Sequence, residues 1–431
     1  MIKLVIFITG LIALFCMGFG APYAIGLISS LVLIIDNGFA NFPTHTVAQK
    51  IVNSGNGFVL LAIPFFLLAG ELMNTGGITR KIFKFCNTLV GWIPGGLGHA
   101  NVLASIIFAG MSGSAVADAA GLGTIEIRAM EDQGFDTDFS AGITAASSTI
   151  GPIIPPSIPM VVFGVSASGV AISKLLIAGI VPGLLMGITL SIMVIFISLK
   201  RKYPRSSFPK WSELWSDFKN AFFPLLTPTI LIGGMLSGIF TPTEAAVVSV
   251  VYAFVLTVIV YKEISLRDLY KIIIRVARDS ACVLFIIVTS ALYGYLLVRA
   301  QIPQKLIEIM LGLTTNKYII LLLINVLLLI VGCFMDANAA ILILTPALMP
   351  LVLEVGIDPV HFGLMMVLNL MIGLLTPPVG MCLYAVSKVA HISLDRVVKG
   401  TAPFYLPLII SLLLVTFIPE LSTWLPNLLL K

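Results

Sequence analysis

Hydrophobic residues in this chain come in long blocks rather than in an alternating or single-faced pattern. Apolar runs lie near 2–19, 22–36, 56–76, 137–168, 174–199, 222–240, 243–261, 280–299, 360–387 and 401–425. A helix needs about 20 apolar residues to cross bilayer hydrocarbon, and backbone in lipid must satisfy its own hydrogen bonds. Each run therefore predicts a membrane helix. Two further apolar segments, 97–131 and 318–353, are cut near the middle by small or polar residues. The opening Met1-Ile2-Lys3 and the apolar run to Gly20 have the outline of a secretory leader. A second apolar run, Pro22 to Ile35, follows at once, so the two read as a retained helical hairpin.

Composition narrows the class. Of 431 residues, 58% are hydrophobic and 10% charged, against about 25% charged in an ordinary soluble domain. A soluble fold of this length covers its surface with polar side chains. A soluble enzyme, a nucleic-acid binder and a disordered scaffold are thereby excluded. What remains is a polytopic membrane protein with the lipid bilayer as its main partner. The five Cys (16, 86, 282, 333, 382) sit widely spaced in apolar stretches and the four His are scattered, so no disulfide framework or zinc site is expected. There is no phosphate-binding loop of the G-x-x-x-x-G-K-[ST] type, so direct ATP drive is not indicated, and no organic cofactor is expected.

Charge gives an orientation. Of 25 Lys and Arg, 18 fall in one set of connecting segments, among them Arg80, Lys81, Lys84, Lys200–Lys202, Lys262, Arg275 and Lys399. The richer side is expected to be cytoplasmic, which puts the N-terminus outside. The assignment works only if 97–131 and 318–353 enter and leave by the same side, as re-entrant hairpins. Each half of these segments reads as too short to span comfortably.

The longest polar connection, 201–220 with Trp211 and Trp215, reads as a cytoplasmic linker with interfacial aromatics. It separates 1–200 from 221–431, and the two halves share an internal repeat. At an offset of 222, Gly110 meets Gly332, Gly134-Phe135-Asp136 meets Gly356-Ile357-Asp358, and Gly151-Pro152-Ile153-Ile154-Pro155-Pro156 meets Gly373-Leu374-Leu375-Thr376-Pro377-Pro378. Each half contains an odd number of crossings, five, which forces inversion of the second half. Amphipathic arms at 79–88 and 303–313 then lie on opposite faces. The expected fold is all-α, with inverted repeats, two re-entrant hairpins and two Pro-broken helices, 137–168 and 360–387. Paired broken helices in inverted repeats mark secondary transporters, with the binding site where the breaks meet.

The breaks carry the candidate chemistry. A proline inside a helix costs about 3 kcal/mol and frees a carbonyl. The freed groups are satisfied either by neighbouring helices, as at a plain kink, or by a cation. The polar side chains beside both breaks favour the cation. A first cation site is expected from Ser112, Gly113, Ser114, Ser147, Thr149 and Gly151. A second is expected from Asp336, Asn338, Gly373, Thr376 and Pro377. An ionisable residue such as Asp118 or Asp336 in an apolar span is costly and usually functional. An anionic substrate is expected against Ala115, Asp118, Pro156, Ser157 and Asn338. No Arg or Lys lies within the breaks, so main-chain N–H groups, hydroxyls and the bound cations must meet its carboxylate.

Several stretches resemble one family: Ile63-Pro64-Phe65-Phe66-Leu67-Leu68-Ala69-Gly70-Glu71-Leu72-Met73, Ala109-Gly110-Met111-Ser112-Gly113-Ser114-Ala115-Val116-Ala117-Asp118, Ile150-Gly151-Pro152-Ile153-Ile154-Pro155-Pro156-Ser157, Ile341-Leu342-Ile343-Leu344-Thr345-Pro346-Ala347-Leu348-Met349-Pro350 and Leu375-Thr376-Pro377-Pro378-Val379-Gly380. They are similar to the large membrane subunit of tripartite ATP-independent periplasmic (TRAP) transporters, over essentially the whole chain. The resemblance implies a sodium-coupled importer of organic acids, such as sialic acid or C4-dicarboxylates, in a bacterial inner membrane. Overall likeness leans toward sialic acid. Two or more sodium ions are implied as coupling ions. So are two partners: a small four-helix membrane subunit (Q type) and a periplasmic substrate-binding protein (P type). The chain opens directly on its first repeat, so the small subunit is expected as a separate protein. The resemblance also implies an elevator motion, in which the hairpins and broken helices travel as one block against a scaffold of the remaining helices. The alternative is a stand-alone sodium/dicarboxylate symporter of similar architecture that needs no binding protein.

Overall fold

Lipid-facing backbone leaves little choice but helix, and the described residues contain no strand. The structure, a computed structural model, describes residues 9–11, 13–14, 17–75, 77–167 and 169–430. The predicted helix near 2–19 lies largely outside them. The first half comprises α1 (Ala21–Asn37), α2 (Thr44–Gly55), α3 (Ala62–Thr75), α4 (Ile78–Val90), α5 (Gly96–Ser112), α6 (Ala115–Asp132), α7 (Thr137–Ser148), α8 (Ile158–Ser166), α9 (Ile172–Ala178) and α10 (Ile180–Arg201). The second comprises α11 (Trp211–Leu236), α12 (Pro242–Phe254), α13 (Leu266–Arg299), α14 (Ile302–Leu313), α15 (Lys317–Phe334), α16 (Ala337–Glu354), α17 (Pro359–Gly373), α18 (Met381–Ala390), α19 (Leu394–Phe417) and α20 (Glu420–Leu429). Among the described residues, seven helical stretches are long and apolar enough to cross a membrane: Phe58–Thr75, Ile172–Arg201, Pro242–Val260, Leu266–Arg299, Lys317–Phe334, Ala337–Glu354 and Leu394–Phe417. The protein is an all-α, multi-pass membrane protein.

One expectation needs correcting. The halves of segment 318–353 are not too short to span, since α15 and α16 each have 18 residues and sufficient hydropathy. Helix in fact runs on to Phe334 and restarts at Ala337, because the Asp336 carboxylate accepts the backbone N–H groups of Asn338 and Ala339. Such a cap lets a helix begin with little preceding loop.

The sequence offset reappears in the helix boundaries. Both ends of α6 and α16 are 222 positions apart, as are the first residues of α7 and α17. The cis peptides Pro155–Pro156 and Pro377–Pro378 are separated by the same number.

The amphipathic arm α4 shows how sequence pattern becomes packing. Ile78, Ile82, Phe83 and Cys86 are buried along one stripe, a helical spacing. The opposite face carries Lys81 and Lys84, which pair with Glu263 (3.8 Å) and Asp217 (2.8 Å) of the second half. Arg275 of α13 pairs in turn with Glu71 of α3. Deeper in the molecule, α7 lies backbone to backbone on α19. A Cβ on Gly400 would stand 1.9 Å from the Asp138 carbonyl oxygen, and one on Gly142 would stand 2.2 Å from the Gly400 oxygen.

Candidate ion and substrate site

Helix α5 ends at Ser112, and Gly113 turns the chain with φ +65, a conformation that glycine adopts without strain. The side a Cβ would occupy at Gly113 is filled by the Pro156 carbonyl oxygen, 2.6 Å away. The first tip is thus seated on the first proline break. Ser114 caps α6 by accepting the Ala117 N–H. The Ser112 hydroxyl donates to the Asp118 carboxylate, whose Oδ2 is buried without a partner. A Cβ on Gly151 would lie 2.2 Å from that oxygen. Ser112, Gly113, Asp118, Gly151 and Pro156 therefore form one cluster, with Ala115 buried beside it. Asp118, expected on the substrate side, sits among the residues expected to hold the first sodium ion.

The other first-half candidates are engaged elsewhere. Ser147 donates to Asn101 Oδ1 (2.7 Å) and lies 3.0 Å from the Ser105 hydroxyl. Thr149 donates to the Ala146 carbonyl (2.6 Å). Ser157 donates to the Pro152 carbonyl and accepts the Met160 N–H (3.2 Å), so its fully buried hydroxyl closes the break and caps α8.

The second tip has the same plan with different chemistry. Asp336 stands where the first half has Ser114, and caps α16. Gly332 packs on Gly373, and the Val379 N–H donates to the Cys333 carbonyl (3.2 Å), seating this tip on the second break. The side-chain oxygen of Asn338 is buried without a partner. Thr376 donates to the Ile372 carbonyl (3.0 Å). The two breaks differ in exposure: the whole stretch from Thr149 to Met160 is buried, whereas Pro377, Pro378 and Val379 are exposed and Asp336 and Thr376 are half-buried. Symmetry in sequence did not foretell this.

The clusters consist of hard oxygen donors. A buried carboxylate oxygen with no donor or cation is expensive, and Asp118 makes no ion pair among the described residues. The chemistry of a partnerless Asp118 Oδ2 beside the Ser112 hydroxyl fits a small hard cation such as sodium.

Sequence reasoning missed a second polar layer. The Asn101 amide donates to Glu126 (2.7 Å) and to Thr144 (2.7 Å), joining α5, α6 and α7 through Ser147. In the second half the Asn369 amide donates to Asn325 (2.7 Å), whose own amide donates to Thr416 (3.0 Å). The signal was present. Glu126 is an ionisable residue in an apolar segment, the criterion that had picked out Asp118.

Comparison with known proteins agrees with the sequence pattern. The profile of the family described as "Tripartite ATP-independent periplasmic transporter, DctM component" matches residues 8–421. The chain is 45% identical over 425 residues to the sialic acid TRAP transporter large permease protein SiaM of Vibrio cholerae, covering 98% of each chain. It is 39% identical over 404 residues to the C4-dicarboxylate TRAP transporter large permease protein DctM of Pseudomonas aeruginosa, covering 94% of each. Among solved structures, the YdaH transporter of Alcanivorax borkumensis shares the fold, with TM-score 0.67 at 14% identity over 91% of each chain. Motifs, helix order and relatives named as transporter permeases rather than enzymes lead to one assignment: the chain belongs to the large permease (DctM) family of tripartite ATP-independent periplasmic transporters.

Proposed function

We propose that this permease imports an organic acid anion with sodium ions, receiving it from a periplasmic binding protein and working beside a small four-helix membrane subunit. The observation that carries the reading is the pair of tips 222 residues apart. Each rests on a Pro–Pro break, and buried oxygens lack partners at both. In the first site, sodium sits between Ser112, Gly113 and Ser114 of the tip and Thr149 and Gly151 of the break, with Asp118 supplying the charge. Ser147 stands behind it and ties α7 to α5. In the second, Asp336, Asn338, Gly373, Thr376 and Pro377 hold another ion. The substrate lies between the tips, against Ala115, Pro156, Ser157 and Asn338. Its carboxylate is met by the first N–H groups of α6, which Ser114 does not cap, and by the two ions, so an empty sodium site leaves the anion undercompensated.

The positive-inside count makes the segments 97–131 and 318–353 hairpins that enter and leave by the same side, in inverted halves, 1–200 and 221–431. With the broken helices they form a block that moves as an elevator in a bacterial inner membrane, the N-terminus on the periplasmic side. Sialic acid is the first substrate to try, because the 45% identical relative carries that name. The test is reconstitution of the permease with its small subunit in proteoliposomes. Labelled sialic acid and succinate are offered under a sodium gradient, with and without the binding protein. Uptake that needs both sodium and binding protein supports the reading. Uptake without the binding protein supports the stand-alone symporter, and uptake indifferent to sodium sinks the ion sites.

A further inference from the structure

Glu126 is fully buried, on the same face of α6 as Asp118 and two turns further on. One carboxylate oxygen accepts the Asn101 amide; the other, Oε1, is buried with no partner. The titratable and charged groups of the surrounding helices offer no compensating cation. On α3, Glu71 is paired with Arg275. On α4, Lys81 and Lys84 are paired with Glu263 and Asp217, Arg80 is exposed, and the buried Cys86 thiol is neutral or negative. On α5, His99 is bonded to the Pro94 carbonyl. On α7, Asp138 is paired with Arg396. On α6 itself Arg128, Glu131 and Asp132 are exposed, as is Lys388 of α18. Two carboxylates in one buried body, without a cation, cannot both stay ionised. Asp118 receives the Ser112 hydroxyl and lies at the tip, where sodium would neutralise it.

We infer that Glu126 is a proton-binding site: it holds a proton while the first sodium site is empty and releases it when sodium enters beside Asp118. This rests on the sodium reading of the tip given above. One sodium ion enters, one proton leaves the Glu126 carboxyl for solvent, and the net charge of the two carboxyls together with the ion is unchanged. The Asn101–Ser147 bonds give the two places a shared set of helices, so the exchange needs no large rearrangement. A sodium-driven permease would thereby carry a built-in pH dependence.

The experiment uses the purified permease in weakly buffered detergent with a pH-indicating dye. Sodium binding is followed separately as sodium-dependent thermal stabilisation. In the wild type, sodium should release protons. Its half-saturating concentration should rise by up to tenfold for each unit the pH falls, as one-for-one exchange requires. E126Q should still be stabilised by sodium, release one proton fewer per chain, and lose that pH dependence. Dicyclohexylcarbodiimide, which adds to buried protonated carboxyls, gives a measurement that needs no variant. Mass spectrometry should find Glu126 labelled in wild-type protein, and sodium added first should protect it. Sodium binding without proton release, an undiminished release from E126Q, or a Glu126 that sodium does not protect would each overturn the inference. Absence of any sodium stabilisation in the wild type would instead sink the sodium site on which it rests.

Discussion

Ser114 and Asp336 occupy the same structural position 222 residues apart, each capping the helix that leaves its tip, one with a hydroxyl and the other with a carboxylate. Both caps satisfy N–H groups at a helix N-terminus. Only the second places a formal negative charge in the cap itself. In the first half the charge comes from Asp118, one turn into the helix and bridged to Ser112. The two proposed ion sites are therefore expected to be equivalent in backbone and unequal in side chains, and the same substitution will not weaken both alike.

Asp336→Asn keeps an oxygen that can cap α16 and removes the charge. The folded protein should survive, while apparent sodium affinity falls by roughly tenfold or more, about 1.4 kcal/mol of lost charge compensation. Uptake measured against sodium concentration checks this. A wild-type sodium curve would show that Asp336 is not an ion partner.

Gly151→Ala puts a methyl group 2.2 Å from Asp118 Oδ2. Asp118 must move or the break must open, so sodium-dependent uptake should drop severely at near-normal expression. Gly312→Ala is the control, because nothing stands within 4 Å of its Cβ position. In a helix that change should be neutral or stabilising by up to about 1 kcal/mol.

The contact between α7 and α19 makes a prediction about stability. A Cβ at Gly400 would overlap the Asp138 carbonyl, and neither partner is a flexible side chain that can swing away. Gly400→Ala should destabilise the detergent-solubilised protein by about 1–3 kcal/mol, read as a lower thermal unfolding midpoint. An unchanged midpoint would mean the two helices are not held this close.

Outside the membrane-spanning segments, Asp136 accepts from the Tyr203 hydroxyl (2.6 Å) and from Arg201 (2.7 Å), which together hold its carboxyl below the usual range. A depressed carboxyl stabilises the fold above its unfolded value of about 3.9, and that contribution disappears as the pH drops through the lower folded value. D136N should therefore cost about 0.2–1 kcal/mol at pH 7, as exposed pairs do, and progressively less below about pH 4. Thermal unfolding of both proteins across pH 3–7 tests the sign.

Movement can be tested where α13 meets α16. A Cβ on Gly294 would lie 3.5 Å from Pro346 Cβ, within the range a disulfide bridges. With the native cysteines replaced, Gly294→Cys and Pro346→Cys should crosslink under oxidation, abolish uptake and recover it on reduction. Full-rate uptake by the crosslinked protein would require the substrate to pass by local gating rather than by movement of the block.

Much of this protein is legible from its sequence, for a physical reason. In lipid, apolar length sets helix length, and proline, glycine and capping residues set where helices stop. Those local rules placed both interrupted segments, both broken helices and the arms within a few residues of the observed boundaries. A single offset of 222 ties the halves together in the sequence and again in the helix boundaries. The tip residues were found because their sequences are locally unusual: Gly113 in a turn, Ser114 and Asp336 at helix starts, paired prolines in apolar spans.

What the tertiary structure decided is which of those residues meet. Asp118 and Gly151 are 33 positions apart, and only the seating of the tip on the break sets one against the other. The sequence groups Ser147 with Ser112, but the packing of α7 against α5 gives it to Asn101 and Ser105. The exposure of Pro377 beside the burial of Pro155 is likewise invisible to a repeat, because equal local sequences pack against unequal neighbours. Local chemistry determines where a membrane chain breaks. The close approach of helices distant in sequence determines what each break can hold.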